Sequence, residues 1–276
     1  MQVQSIISKS ISEEILSTGH LSIRFMSDGF SLLLEDTNYN PVVLNRFFQE
    51  SSITQKSHVL ACEDWLNRHT LFDGFKGEVS FVIDKLPTAM VPSDLFSKKD
   101  SSLYLEPETQ LHTSNTITHK TLKDRPLVMV FPVPEIFSAL AGKFTGVTRI
   151  MSTVEVLISM ADQVNAADHQ RGFTLVDLQN QFLGILMIRD DKIQLANQCV
   201  LKKSDDLVYH TLNSIKQLDF NRKKAPIYYT GVPGDDSLKV LRKYIRHVKP
   251  LFYHIIDLEK SHISEHVVLA EATKCE

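Results

Sequence analysis

Apolar residues gather in stretches of strand length near the start of the chain: Leu21–Phe25, Phe30–Glu35 and Val42–Phe47. Ser27-Asp28-Gly29 separates the first two and Asn38-Tyr39-Asn40-Pro41 the next two, so the pattern predicts a three-strand meander that opens with a tight hairpin. The spacing then changes. Val59, Leu60, Cys62, Trp65, Leu66 and His69 recur at intervals of three and four, which predicts a helix. Gly74 and Gly77 break it, and Glu78–Asp84 alternates into a strand with Val79, Phe81 and Ile83 on one face.

The same order returns in the second half. Phe173–Asp177 and Phe182–Arg189 read as strands joined by a turn at Leu178–Gln181, and Asp190-Asp191 turns the chain into Ile193–Leu201. Ser204-Asp205-Asp206 caps a helix that runs to about Leu218, Pro226–Thr230 is a strand, and Asp235–His247 is an amphipathic helix with Leu238, Leu241, Tyr244, Ile245 and Val248 inward. The offset between matching elements is nearly constant, which points to a tandem duplication. Between the copies, Val91–Phe96 reads as a capped helical turn. Residues 97–126 read as a polar insertion or long excursion with short strands at Leu103–Leu105 and Thr116–Lys120. Leu127–Phe131 is a buried strand, Pro134–Phe144 a helix, Val147–Met151 a strand and Thr153–Val164 a helix. The polar stretch Asn165–Gly172 is the expected boundary, giving domains 1–165 and 172–276 with a ligand cleft between them.

Composition narrows the function classes. With 43% apolar and 23% charged residues a sizeable core is available, and no apolar run approaches the roughly 18 residues of a membrane span. The N-terminal segment has serines and glutamates where a signal peptide has its apolar stretch, so a cytoplasmic location is expected. Cys62, Cys199 and Cys275 form no CxxC, so neither a disulfide framework nor a zinc clip is expected. A net charge of −3 argues against nucleic acid as a partner; Arg222-Lys223-Lys224 and Lys239–Lys249 read as solvated faces. Glycine is scarce, 10 residues in 276, and none sits in GxGxxG or GxxxxGK[ST]. Those phosphate loops need backbone N–H groups closer to the ligand than a Cβ allows.

Three strands, helix, strand, helix, repeated, resembles the actin-like ATPase fold, in which each lobe is ribonuclease H-like and built on a mixed sheet with a three-strand antiparallel meander. The strings KGEVSFVIDKLPTAMVPSDLF and FTLVDLQNQFLGILMIRDDKIQLANQ are also similar to an uncharacterised bacterial family assigned that fold and no activity. The resemblance implies three nucleotide-binding stretches. In the first copy, the DxG[ST]-like turn has Phe25 at the aspartate position and Ser27 at the glycine position. Asp28-Gly29 lies just beyond, though DG is also a hairpin signal in its own right. In the second copy Asp177 and Leu178 match the start of DLG, but Gln179 replaces the glycine, with the amides of Asn180 and Gln181 following. The adenosine stretch reads Thr230-Gly231-Val232-Pro233-Gly234: one glycine of the expected pair is Thr230, while Gly231 and Gly234 bracket the turn.

Asp28, Gly29, Asp177, Gln179, Asn180, Gly231 and Gly234 are therefore the candidate cleft residues, with no catalytic or metal residue assigned. His262 and His266 flank Glu265 on a C-terminal segment but have no third ligand and read as surface residues; Asp84 reads as a turn carboxylate. The balance of these features favours a non-catalytic actin-like module that binds a partner or assembles, with no cofactor. The alternative is a divergent ATPase or phosphotransferase holding Mg-ATP between its lobes.

Overall fold

The computed structural model describes residues 2–48, 54–105, 115–179, 181–232, 235–251 and 260–275. In chain order, β1 (Gln2–Ser8) and α1 (Glu13–Thr18) precede a meander of β2 (His20–Met26), β3 (Gly29–Glu35) and β4 (Pro41–Phe48). Helices α2 (Gln55–Arg68) and α3 (Leu71–Gly74) lead to β5 (Glu78–Ile83). Then come β6 (Ala89–Pro92), β7 (Asn115–Thr121), β8 (Leu127–Pro134), α4 (Glu135–Ala141), β9 (Thr148–Ser152), α5 (Thr153–Asp162) and α6 (Ala166–Arg171). A second meander, β10 (Phe173–Gln179), β11 (Phe182–Arg189) and β12 (Lys192–Val200), is followed by α7 (Ser204–Gln217), β13 (Ile227–Gly231), α8 (Asp235–Tyr244), β14 (Val248–Pro250) and α9 (Lys260–Ala272).

The strands form three sheets. The first has the order β1-β4-β3-β2-β5-β9 and the second β12-β11-β10-β13-β14; a small third sheet runs β6-β8-β7. From the meander onward the first two match strand for strand. In each, the second meander strand lies between the first and the third, the first pairs antiparallel with the second, and the first also pairs parallel with the strand that follows the helix. Parallel neighbours need a crossover, and α2 and α7 supply it. Side chains set where these helices begin: Thr54 accepts the Ser57 N–H before α2, and Asp206 accepts the N–H groups of Lys202 and Lys203 at the start of α7.

One core extends across both large sheets. Leu21, Ile23, Phe81 and Phe137 share a continuous apolar cluster with Phe173, Leu175 and Leu186 of the second sheet, and with Val268 and Leu269 of α9. Helix α5 packs on β11 and α9, while α9 packs on β2, β3, β5 and β13. The outer face of the second sheet has its own cluster, around Val176, Leu183, Ile185 and Leu241 beneath α7 and α8.

Several sequence expectations change. Val91 belongs to strand β6 and pairs with Val128, because β8 offers a ladder that outweighs the helical turn predicted for Val91–Phe96. Leu103–Leu105 lies in turns, with Leu105 buried under the small sheet. The strand β1, not expected, adds to the free edge of β4. Tyr244 is exposed and Val248 lies in β14. Asn165–Gly172 is a docked helix: Asn165 caps α6, Asp168 accepts from the Tyr228 hydroxyl at 2.6 Å, and His169 reaches the Ala161 carbonyl. No helix among the described residues is long and apolar enough to cross a membrane.

Candidate functional site

Strand alternation places the chemistry. On β10, Phe173 and Leu175 point into the core shared with the first sheet, while Val176 and Leu178 point into the outer cluster. Asp177 and Gln179 continue the first row, so a carboxylate and an amide face the first sheet. On β2, Leu21, Ile23 and Phe25 form one row, with Phe25 against Phe30 and Phe137, and Ser22 and Arg24 form the other.

Arg24 and Asp177 meet. The guanidinium forms a two-point ion pair with the Asp177 carboxylate, Nη2 to Oδ2 and Nη1 to Oδ1, the latter at 3.4 Å. Its other edge holds Asp84, just after β5, with Nε and Nη2 at 3.0 and 2.9 Å from Oδ1. Thr153, the first residue of α5, donates to the same oxygen at 2.6 Å. The side chains of Arg24, Asp84 and Asp177 are 2%, 1% and 0% exposed. Asp84 Oδ2 has no hydrogen-bond partner among the described residues.

Burial works against the charged forms here. It pushes Asp84 up to about 6; Arg24 and Thr153 oppose that rise and the Asp177 charge adds to it. Burial also disfavours the guanidinium, but Asp177 and Asp84 outweigh it and hold Arg24 above its ordinary value. The cluster is a buried cation shared by two carboxylates, and it joins β2 and β5 to β10.

The hairpin registers explain the meeting. Met26 pairs with Gly29 and Gln179 with Phe182, so both hairpins close on two-residue turns. Counting back from each turn, Arg24 and Asp177 occupy the same position, 153 residues apart. This corrects the sequence register that set Phe25 opposite Asp177. That register ended the second-copy strand at Asp177, whereas Leu178 and Gln179 remain paired in β10. Gln179 is therefore a strand residue, 7% exposed, with its Nε2 unpartnered among the described residues.

The remaining candidates sit apart from this cluster. Asp28 occupies the β2–β3 turn, where its carboxylate accepts from Arg46 at 2.7 Å; Arg46 also lies 3.6 Å from Glu265 of α9. Gly29 and Gly231 answer to close backbone approach: a Cβ on Gly29 would lie 1.9 Å from the Phe47 carbonyl oxygen, and one on Gly231 1.9 Å from that of Leu178. Asn180 and Gly234 lie outside the described residues. His266 is buried rather than surface-exposed, because α9 lies against the first sheet. Asp84 stands in the turn after β5, as expected, but it is buried there as a partner of Arg24. Among the described residues no group of three His, Cys, Asp or Glu side chains could hold a metal.

Arg24 escaped the sequence reading. The signal for it was an arginine in the apolar run LSIRFM, at the turn-counted position that Asp177 fills in the other hairpin. A second feature of the region is a cavity of about 180 Å³ between Lys85–Thr88 and Asn197–Val200.

This geometry belongs to a known family. The sequence profile of the family described as "Protein of unknown function (DUF3822)" matches residues 8–248, and the chain belongs to that family. Among solved structures it is similar to a Bacteroides thetaiotaomicron protein with an actin-like ATPase fold and unknown function, at 18% identity and a TM-score of 0.76, with 97% of this chain and 100% of that one covered. It is also similar to the PilM-PilN type IV pilus biogenesis complex, at 12% identity, a TM-score of 0.59 and coverage of 92% and 97%. A third is the ethanolamine utilization protein EutJ from Carboxydothermus hydrogenoformans, at 8% identity, a TM-score of 0.54 and coverage of 98% and 93%. The mixed α/β architecture is thus that of the actin-like ATPase fold. No curated protein sequence matches the chain.

Proposed function

We propose that this member of the DUF3822 family is a non-catalytic actin-like module that binds a partner protein or assembles, with no cofactor and a cytoplasmic place of action. Its two lobes, residues 1–165 with 97–126 as an insertion and residues 172–276, are tandem ribonuclease H-like copies whose nucleotide motifs have eroded.

One observation carries this reading: the Arg24 guanidinium lies buried between Asp84 and Asp177, where the two hairpins of the fold converge. In the nucleotide-binding reading the hairpin carboxylate serves Mg²⁺ and the phosphates. Here its two oxygens are held by a cation of the chain itself, and a second cation would meet a positive charge at van der Waals range. A hard divalent ion needs six or so oxygens, several of them from water, in a site that water reaches. The residues present do not fit that group. Gln179, where the motif has glycine, is a buried strand residue.

The test is thermal denaturation with and without millimolar Mg-ATP, Mg-ADP and a nonhydrolysable analogue. Any ligand of the native state raises the midpoint by mass action. No rise is expected; a rise that scales with nucleotide concentration would restore the ATPase reading.

A further inference from the structure

Glu35 ends β3, the strand held between β2 and β4, and it is buried. The group that meets it comes from far along the sequence. Thr273, one residue past α9, places its hydroxyl 3.0 Å from Glu35 Oε2 and 2.9 Å from the Ala270 carbonyl oxygen. In a regular helix the Lys274 N–H would serve Ala270, but it goes to Glu271, so the Thr273 hydroxyl supplies a donor to that carbonyl.

A hydroxyl has one hydrogen to give. When Glu35 is ionised, both neighbours of Thr273 are acceptors and one of them goes unserved, which is costly for a buried group. When Glu35 carries a proton, its carboxyl O–H donates to Thr273 Oγ1 and the hydroxyl donates on to Ala270. Only the protonated form completes this chain. Burial favours the same form and raises the Glu35 pKa to about 7, against the pull of Thr273 and Lys274 and with an addition from Asp36.

The other titratable groups around the site lie on four elements. His20 of β2 pairs with Glu35 across the hairpin and stacks on Tyr39, and the Lys274 ammonium lies 5.6 Å from the centre of the same Tyr39 ring. Beyond His20, Glu78 of β5 lies 3.4 Å from Arg149 of β9. On α9 itself, Glu271 turns to α5, where Ser159 and Gln163 donate to it at 2.8 Å.

The two sides of the contact differ in freedom. Glu35 is fixed by ladders to β2 and β4, whereas Thr273 follows the last turn of a helix, where structure opens most easily. Just beyond it, Lys274 and the buried Cys275 form one wall of a cavity of about 280 Å³; the end of β7 and the α5 residues Glu155 and Ser159 form the others.

We propose that Glu35 and Thr273 form a pH-operated latch: the protonated carboxyl holds the end of α9 against β3, and loss of that proton to solvent releases residues 273–275 and the cavity wall they form. Docking is complete below the ordinary carboxyl value of 4.5 and weakens as pH climbs through about 7.

The reporter is Cys275 in the full chain, pulsed with iodoacetamide and read by peptide mass spectrometry, with the buried Cys62 of α2 as reference. Thiol ionisation also speeds alkylation as pH rises, so each rate is taken relative to that of Glu35→Gln, whose amide donates to Thr273 at every pH. For Cys275 this ratio is expected to climb about tenfold or more between roughly pH 5.5 and 8.5. At the alkaline end, Cys275 of the unaltered protein should react about tenfold faster than Cys62, because it is reached by local release. Thr273→Val, which serves neither neighbour, should expose Cys275 already at the acid end. A constant ratio would overturn the proposal, and so would a Thr273→Val protein whose Cys275 is as protected as before. Equal rates at Cys275 and Cys62 would overturn it too, by showing that both thiols are reached through unfolding of the whole molecule. None of these failures touches the nucleotide reading, which the thermal assay tests alone.

Discussion

Arg24 is a buried cation held between two carboxylates. Removing one partner from a buried ion pair typically costs about 3–5 kcal/mol, because the remaining charge stays buried without compensation. Arg24→Met leaves Asp84 and Asp177 facing each other and is expected to lower stability in urea by about that amount. The triple change Arg24→Met/Asp84→Leu/Asp177→Leu removes the charges together and is expected to recover most of the loss. If the single and triple variants unfold at the same urea concentration, the cluster is not what the single change disrupts. Gly231 carries a different constraint. With φ of 88° and a Cβ position 1.9 Å from the Leu178 carbonyl oxygen, Gly231→Ala must move the β10–β13 ladder, at a cost of about 3 kcal/mol. A Gly231→Ala protein with unchanged denaturation would show that β13 can shift at no cost. From sequence the glycine was visible but its reason was not: a turn pattern does not reveal that another strand's carbonyl lies against the Cα.

At the scale of elements, the meanders were legible because each strand is a short apolar run closed by Asp, Asn, Gly or Pro. The errors fell where tertiary pairing overrides local signals: at β6, at the last two residues of β10, and at β1, whose exposed QVQSIIS has little apolar patterning until β4 pairs with it. The burial of helix α9 was equally hidden, since it depends on a sheet far away in sequence. Its C-terminal end carries a pH dependence. Glu35, at the end of β3, is 1% exposed and accepts from Thr273 at 3.0 Å, just beyond α9. Burial raises its pKa from 4.5 to about 7, against the pull of Thr273 and Lys274. A carboxyl with a raised pKa gives its full stabilisation below its ordinary pKa and loses it as pH climbs through the folded value. Stability should therefore fall between about pH 5 and pH 8 by roughly 2–3 kcal/mol from this group. Asp84, raised to about 6, adds to the same trend. Glu35→Gln keeps an acceptor for Thr273 and is expected to flatten the slope, read as the urea midpoint across that pH range. An unchanged slope would remove Glu35 as its source.

For the whole molecule, the sequence pointed to two lobes with a cleft between them and a polar linker joining them. Packing runs across the junction between the two sheets. Phe173, Leu175 and Leu186 share a cluster with Leu21, Phe81 and Phe137, α9 packs on strands of both sheets, and α6 is pinned by Asp168 to Tyr228. Apolar burial contributes about 25 cal/mol per Å², and when one cluster spans both halves neither half keeps that contribution after the other unfolds. The buried Arg24 cluster strengthens the coupling, because parting the sheets would strand the Asp177 carboxylate on one side and leave the guanidinium with Asp84 alone on the other. Calorimetry should accordingly give a single transition whose calorimetric and van't Hoff enthalpies agree. Two resolved transitions, or a van't Hoff enthalpy near half the calorimetric value, would mean that the halves unfold independently and that the junction is a hinge.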